Sequence, residues 1–198
     1  MAEKPTSRDF WQAIRYLRPA IGKAQYWVWT NGIIPDGPGA FAYNGPPPPI
    51  KRVINGGIFC AGVPNLILRH VGKRVPYRLN NRSPLYDGGI AAYFDGVLGD
   101  GYFHDFDRPF NIAAAKRMAN RSNCGVLIGR PYSGAALPDQ GHVAVVLPAH
   151  TDGNNYVLQS NGGDGLNWTY TIEQSHNGWY YTTMVSPDNW FKYSGDEF

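Results

Sequence analysis

Charge is scarce in this chain: Asp, Glu, Lys and Arg together make up 17% of its 198 residues, against the quarter usual for soluble domains. The 18 basic and 15 acidic residues leave a net charge of +3 and form no basic run, so a nucleic-acid-binding surface is not expected. Cysteine is scarcer still. Two thiols, Cys60 and Cys124, cannot build a disulfide scaffold and supply at most two ligands to a metal, although a single bridge between them is open. No apolar run is long enough to cross a bilayer, and the opening "MAEKPTSRDFW" lacks the apolar core of a signal peptide. A soluble chain made in the cytoplasm, with no membrane partner, is expected.

What the chain has in quantity is Gly (24), Pro (16) and aromatic residues (6 Trp, 13 Tyr, 9 Phe), a mixture that favours short strands and many loops over long bundles. Its length suits a single domain, 1–198, with a sizeable core. The closing "SGDEF" has no structural logic, as expected of a domain taken from a larger protein.

Helices dominate the first half. Thr6 or Ser7 can cap a helix carrying Phe10, Ile14 and Leu17 on one face, with Pro19 ending it. Residues 36–50 are so rich in Pro and Gly that they read as an extended surface loop. Val63, Leu66, Ile67 and Val71 recur at helical spacing, with Pro64 tolerated near the helix start. Residues 73–107 alternate short apolar pieces with Gly and Asp and read as irregular. Another helix follows in "DRPFNIAAAKRMANRSN", with Asp107 or Asn111 as its cap. From "CGVLIG" through "GHVAVVLP", "NYVLQSN" and "GWYYTTMVSP", β-branched and aromatic runs separated by turn residues predict an antiparallel meander. The fold class is therefore α+β, with N-terminal helices packed on a central antiparallel sheet.

Three residues stand out chemically. Cys60 precedes the 63–71 helix, where the macrodipole and free backbone N–H groups favour a thiolate; a small buried thiol is the alternative. His142 opens a strongly apolar strand, a position that predicts an imidazole exposed enough to exchange protons. Gln159 lies on the next strand, where its carbonyl can accept from the imidazole Nδ1–H and leave the other nitrogen facing the thiol. Asn161 and Asp164 compete with Gln159 for that role. Asp95, Asp100, Asp105 and Asp107 with His104 fit neither a calcium loop nor a zinc site, so no metal and no cofactor is expected. His70 is read on a helix flank, His150 in a loop and His176 in a turn.

Taken in order, "GKAQYWVW", "FCAGVPNLILR" and "GHVAVVLP…YVLQSN" resemble the NlpC-type peptidoglycan endopeptidases, compact papain-like cysteine peptidases related to the CHAP amidases. Cys60-Ala61-Gly62-Val63 matches that family's nucleophile motif and Gly141-His142-Val143 its base motif. The resemblance implies a papain-like fold with Cys60, His142 and Gln159 as catalytic residues. It further implies an oxyanion and substrate-contacting set of Tyr26, Trp29, Ala61 and Asn161, and a bacterial peptidoglycan stem peptide as substrate. A wall hydrolase without a signal peptide fits the peptidase domain of a bacteriophage endolysin, acting as a monomer on the wall after a membrane lesion. An N-acetylmuramoyl-L-alanine amidase or an acyltransferase would use the same triad. The aromatic residues Tyr26, Trp27, Trp29, Trp168, Trp179 and Trp190 also admit a non-catalytic wall-binding module.

Overall fold

The computed structural model describes residues 6–17, 60, 63–64, 67–68, 71, 108–130, 141–161 and 165–190. The Tyr26–Trp29 stretch, the proline-rich loop 36–50, Ala61, His70, the irregular segment 73–107 with its acidic cluster, and Asp164 lie outside the described residues. None of the helices among the described residues is long and apolar enough to cross a membrane.

Two central strands organise everything else. β2 (Val126–Arg130) and β3 (His142–Val146) pair antiparallel in register from Val126↔Val146 to Arg130↔His142. All of β3 and the first four residues of β2 are buried, so both faces of the sheet are covered, which explains their unbroken apolar sequences. Strand β4 (Val157–Asn161) follows on β3, with Val145↔Leu158 and Val146↔Val157 opposed, and β5 (Gly165–Asn167) follows on β4. On the other side of β2 lie β6 (Thr183–Val185) and the two-residue β1 (Arg108–Pro109), giving the order β1-β6-β2-β3-β4-β5, antiparallel throughout. Pro109, which has no N–H to donate, sits on the outermost strand where none is needed.

The architecture is α+β, but the expected simple meander holds only from β2 to β5. The segment "GWYYTTMVSP" does not add a strand beside β5. Its Gly178 and Trp179 close a helix, α3 (Ile172–Trp179), which carries the chain back across the sheet so that β6 pairs with β2. His176, read as a turn residue, belongs to this helix. A reciprocal capping box begins α3: the Gln174 N–H donates to Thr171 Oγ1 (3.4 Å), and the Thr171 N–H donates to Gln174 Oε1 (2.9 Å). At the other end Tyr180 takes the left-handed conformation (φ 50°, ψ 57°) and its N–H closes on the His176 carbonyl at 2.7 Å.

Helix α2 (Ile112–Ser122) is capped by Asn111, not Asp107: Asn111 Oδ1 accepts from the Ala114 N–H at 2.9 Å. Its buried residues Ala115 and Ala119 are small enough to let the helix lie close on Val126, Ile128, Ala144, Val146 and Val157. Helix α1 (Ser7–Leu17) begins as expected, with Thr6 and Asp9 exchanging bonds (Thr6 N–H to Asp9 Oδ2, 2.7 Å; Asp9 N–H to Thr6 Oγ1, 3.4 Å). It buries Phe10, Ala13 and Ile14. Two contacts seat it on the rest of the protein. Asn123, the left-handed C-cap of α2, donates from Nδ2 to Ser7 Oγ (3.0 Å) and accepts from Trp11 Nε1 (3.3 Å). The Phe10 ring lies over Gly125 and edge-on to Trp190, at a centroid distance of 6.5 Å, where Trp190 closes the short helix α4 (Pro187–Trp190).

Gly125 therefore marks a close approach of helix to sheet. A Cβ there would lie 2.7 and 2.8 Å from two carbons of the Phe10 ring and would also overlap the Val145 side chain. Gly125→Ala is expected to lower the free energy of unfolding by about 1–3 kcal/mol, as overpacking does, read as a fall in the urea midpoint with an unchanged slope.

Candidate functional site

Strand alternation puts His142 on the same face of the sheet as Ala144 and Val146, and Gln159 on the face of Val157. That shared face is the one helix α3 crosses. His142 and Gln159 meet diagonally across β3 and β4, with His142 Nε2 3.2 Å from Gln159 Oε1. Both side chains are only 1% exposed. This corrects two expectations. The imidazole is not exposed at a strand mouth, because α3 lies over it, and the nitrogen facing the carboxamide is Nε2, not Nδ1.

A carbonyl oxygen only accepts, so Nε2 must carry the proton in the neutral ring, and the Nδ1 lone pair is the basic one. Burial keeps the ring neutral: it pushes the His142 pKa down to about 4, against a smaller upward pull from the Gln159 bond. The indole of Trp179, the last residue of α3, stacks on the imidazole with centroids 3.8 Å apart and planes 11° from parallel. That contact covers one face of the ring and offers a π surface to the imidazolium whenever it forms.

Gln159 Oε1 has further partners that the sequence reading missed. The Ser175 Oγ lies 3.1 Å from it and the Tyr181 hydroxyl 3.2 Å, and the two hydroxyls are 2.8 Å from each other. Both residues are buried. Around the Tyr181 ring stand Phe110 (5.6 Å), His142 (6.0 Å) and His176 (6.2 Å). Burial raises the Tyr181 phenol well above its ordinary range; the Ser175 bond opposes this, and the negative charge of a Cys60 thiolate adds to it. Tyr181 is thus a neutral hydroxyl at any ordinary pH.

The Cys60 segment therefore lies within electrostatic range of Tyr181. Cys60 is half-buried in a turn whose carbonyl accepts from the Val63 N–H at 3.3 Å, and helical backbone follows at 63–64 and 67–68. Of the apolar face predicted for this segment, Val63 and Ile67 are fully buried and Val71 is half-buried, Leu66 lies outside the described residues, and Leu68, not predicted, is buried as well. Neither Cys60 nor Cys124 is in a disulfide. Asn161 ends β4 opposite Gly165, and its side chain, like Tyr26, Trp29 and Ala61, is outside the described residues. Arg130, the cross-strand neighbour of His142, donates to the Trp179 carbonyl at 3.4 Å and holds the end of α3 against the sheet.

The missed residues had a readable signal. Thr171-x-x-Gln174 is a capping box, and it starts a helix on which Ser175 and Trp179 fall four apart, on one face.

The chain was compared with models of protein families, with curated proteins and with solved structures, and no match was found in any of the three.

The buried neutral imidazole makes stability depend on pH in a defined window. Between pH 6.5 and about 4 the unfolded chain takes up a proton at His142 that the folded chain refuses, so stability falls as pH falls. The full effect is about 3 kcal/mol, from a downward shift of 6.5 to about 4. Urea midpoints recorded from pH 7 to pH 4 should decline less steeply for His142→Gln than for the parent protein; equal slopes would mean that His142 is not the group responsible.

Proposed function

We propose that this protein is a cysteine hydrolase of papain-like fold that cleaves an amide bond in the stem peptides of bacterial peptidoglycan, with Cys60 as nucleophile, His142 as base and Gln159 as the residue that orients the base. The observation that carries the reading is the His142–Gln159 bond. It fixes the proton on Nε2 and leaves Nδ1 basic, in a buried cluster whose Tyr181 a Cys60 thiolate would reach electrostatically. The nucleophile and base motifs around Cys60 and His142, and their order along the chain, support the same reading.

The mechanism follows from those protonation states. As Cys60 Sγ attacks the amide carbonyl carbon, its proton passes to His142 Nδ1, and the imidazolium so formed keeps its Nε2–H bond to Gln159. Trp179, face-on at 3.8 Å, stabilises that charge, which burial otherwise disfavours. The backbone N–H of Cys60, with Tyr26 as second donor, receives the oxyanion, at about 3 kcal/mol per donor in comparable sites. The imidazolium then protonates the departing amine nitrogen and the C–N bond breaks, leaving an acyl-enzyme. Water, deprotonated by Nδ1, attacks the thioester carbon, and the S–C bond breaks with return of the proton to sulfur. In this reading the protein is a bacteriophage endolysin domain that reaches the wall through a membrane lesion and lyses the host.

Mass spectrometry of purified peptidoglycan treated with the protein tests the proposal. New stem-peptide amine and carboxyl ends are expected, and Cys60→Ala should cut their appearance roughly a thousandfold or more while leaving the free energy of unfolding by urea within about 1 kcal/mol of the parent. A freed lactyl carboxyl would reassign the enzyme as an amidase. Wall binding without new ends, unchanged in Cys60→Ala, would replace the hydrolase with a binding module.

A further inference from the structure

The two ends of a carboxamide have nearly the same shape, so the hydrogen bonds around Gln159 decide which end meets His142. With Oε1 turned inward, as here, the imidazole must be protonated on Nε2. With the NH₂ turned inward, Nε2 would have to accept, the proton would move to Nδ1, and the ring would present a donor where the base should be.

Counting protons shows what settles the choice. Ser175 and Tyr181 lie 3.1 and 3.2 Å from Gln159 Oε1 and 2.8 Å from each other. Each hydroxyl has one proton. If one donates to the other, the second donates to Oε1, which then accepts two bonds with its two lone pairs, one from that hydroxyl and one from Nε2–H. Every proton is used. Turn the carboxamide round and the hydroxyls can still accept from its NH₂, but one hydroxyl proton is left pointing at a donor. Ser175 is 4% and Tyr181 3% exposed, so water does not readily relieve that defect, and an unmade buried bond is costly. Arrangements in either direction along the Ser175–Tyr181 pair end with the same surplus proton aimed at Oε1.

We propose that Ser175 and Tyr181 are positioning residues that act through Gln159 to set the tautomer of His142, holding the ring in its Nε2–H form with the Nδ1 lone pair available. They act redundantly. Either hydroxyl alone still brings one proton to Oε1, so only removal of both abolishes the preference. The catalytic meaning of this device rests on the reading of His142 as the base, whereas the device itself does not.

Long-range ¹H–¹⁵N correlation spectra of protein labelled at histidine nitrogen distinguish the two neutral tautomers directly, and His142→Gln identifies the His142 signals. At pH 7 the parent protein, Ser175→Ala and Tyr181→Phe should each show His142 as the Nε2–H form. In Ser175→Ala/Tyr181→Phe the population of the Nδ1–H form should rise roughly tenfold or more, the ratio lost with one unmade buried hydrogen bond. If the double variant does not fold, Ser175→Val/Tyr181→Phe, which refills the lost volume, is measured in its place. An Nδ1–H form in the parent protein, or an unchanged Nε2–H pattern in the double variant, would overturn the inference. These spectra are independent of Cys60, so a protein that cleaves no wall yet shows this pattern would lose its proposed function and keep its tautomer control.

Discussion

One oxygen atom, Oε1 of Gln159, is the point on which the site depends. It accepts from the imidazole of His142, and two hydroxyls from elsewhere in the chain converge on it. The elements that meet there come from three places: β3 with the histidine, β4 with the carboxamide, and α3 with its following residue Tyr181, supplying the hydroxyls and the stacked indole. Pairing of β3 with β4 brings the first two together. The third arrives only because the chain recrosses the sheet through α3 to place β6 beside β2.

That crossing explains the electrostatics. A histidine at the start of a strand would titrate near its ordinary value if the strand end faced water. Here α3 lies over it, burial holds it neutral, and the charged state is left to π stacking on Trp179 and to the Gln159 acceptor. On the proposed reading, a base with so low a proton affinity at rest takes the thiol proton as bond formation to substrate proceeds.

Local rules made much of this legible. Thr6, Asn111, the Phe10–Ile14 stripe, the buried Val63 and Ile67, and the apolar runs of β2, β3 and β4 were all visible as caps and periodicities, and so was the pairing of His142 with Gln159. The α+β class followed from them. What was not legible was non-local. "GWYYTTMVSP" has strand-like composition, yet Gly178 and Trp179 were already committed to a helix begun at Thr171, and the left-handed Tyr180 divides the two states. Reading the run as one strand hid α3, and with it the burial of His142 and the roles of Ser175, Trp179 and Tyr181. The choice between Nδ1 and Nε2 was equally out of reach, since it depends on the diagonal direction from which Gln159 approaches across the ladder.

The seat of α1 has a consequence for how the molecule is made. Phe10 rests on Gly125 and Val145 and against Trp190, and Asn123 ties down Ser7 and Trp11. On a ribosome adding about 5–20 residues per second, a helix at Ser7–Leu17 waits on the order of ten seconds for Trp190 to be added. Through that time the Trp190 side of its seat is missing. Helix α1 is thus made well before Trp190, on which it docks, and its apolar face is open to chaperones and proteases in that interval.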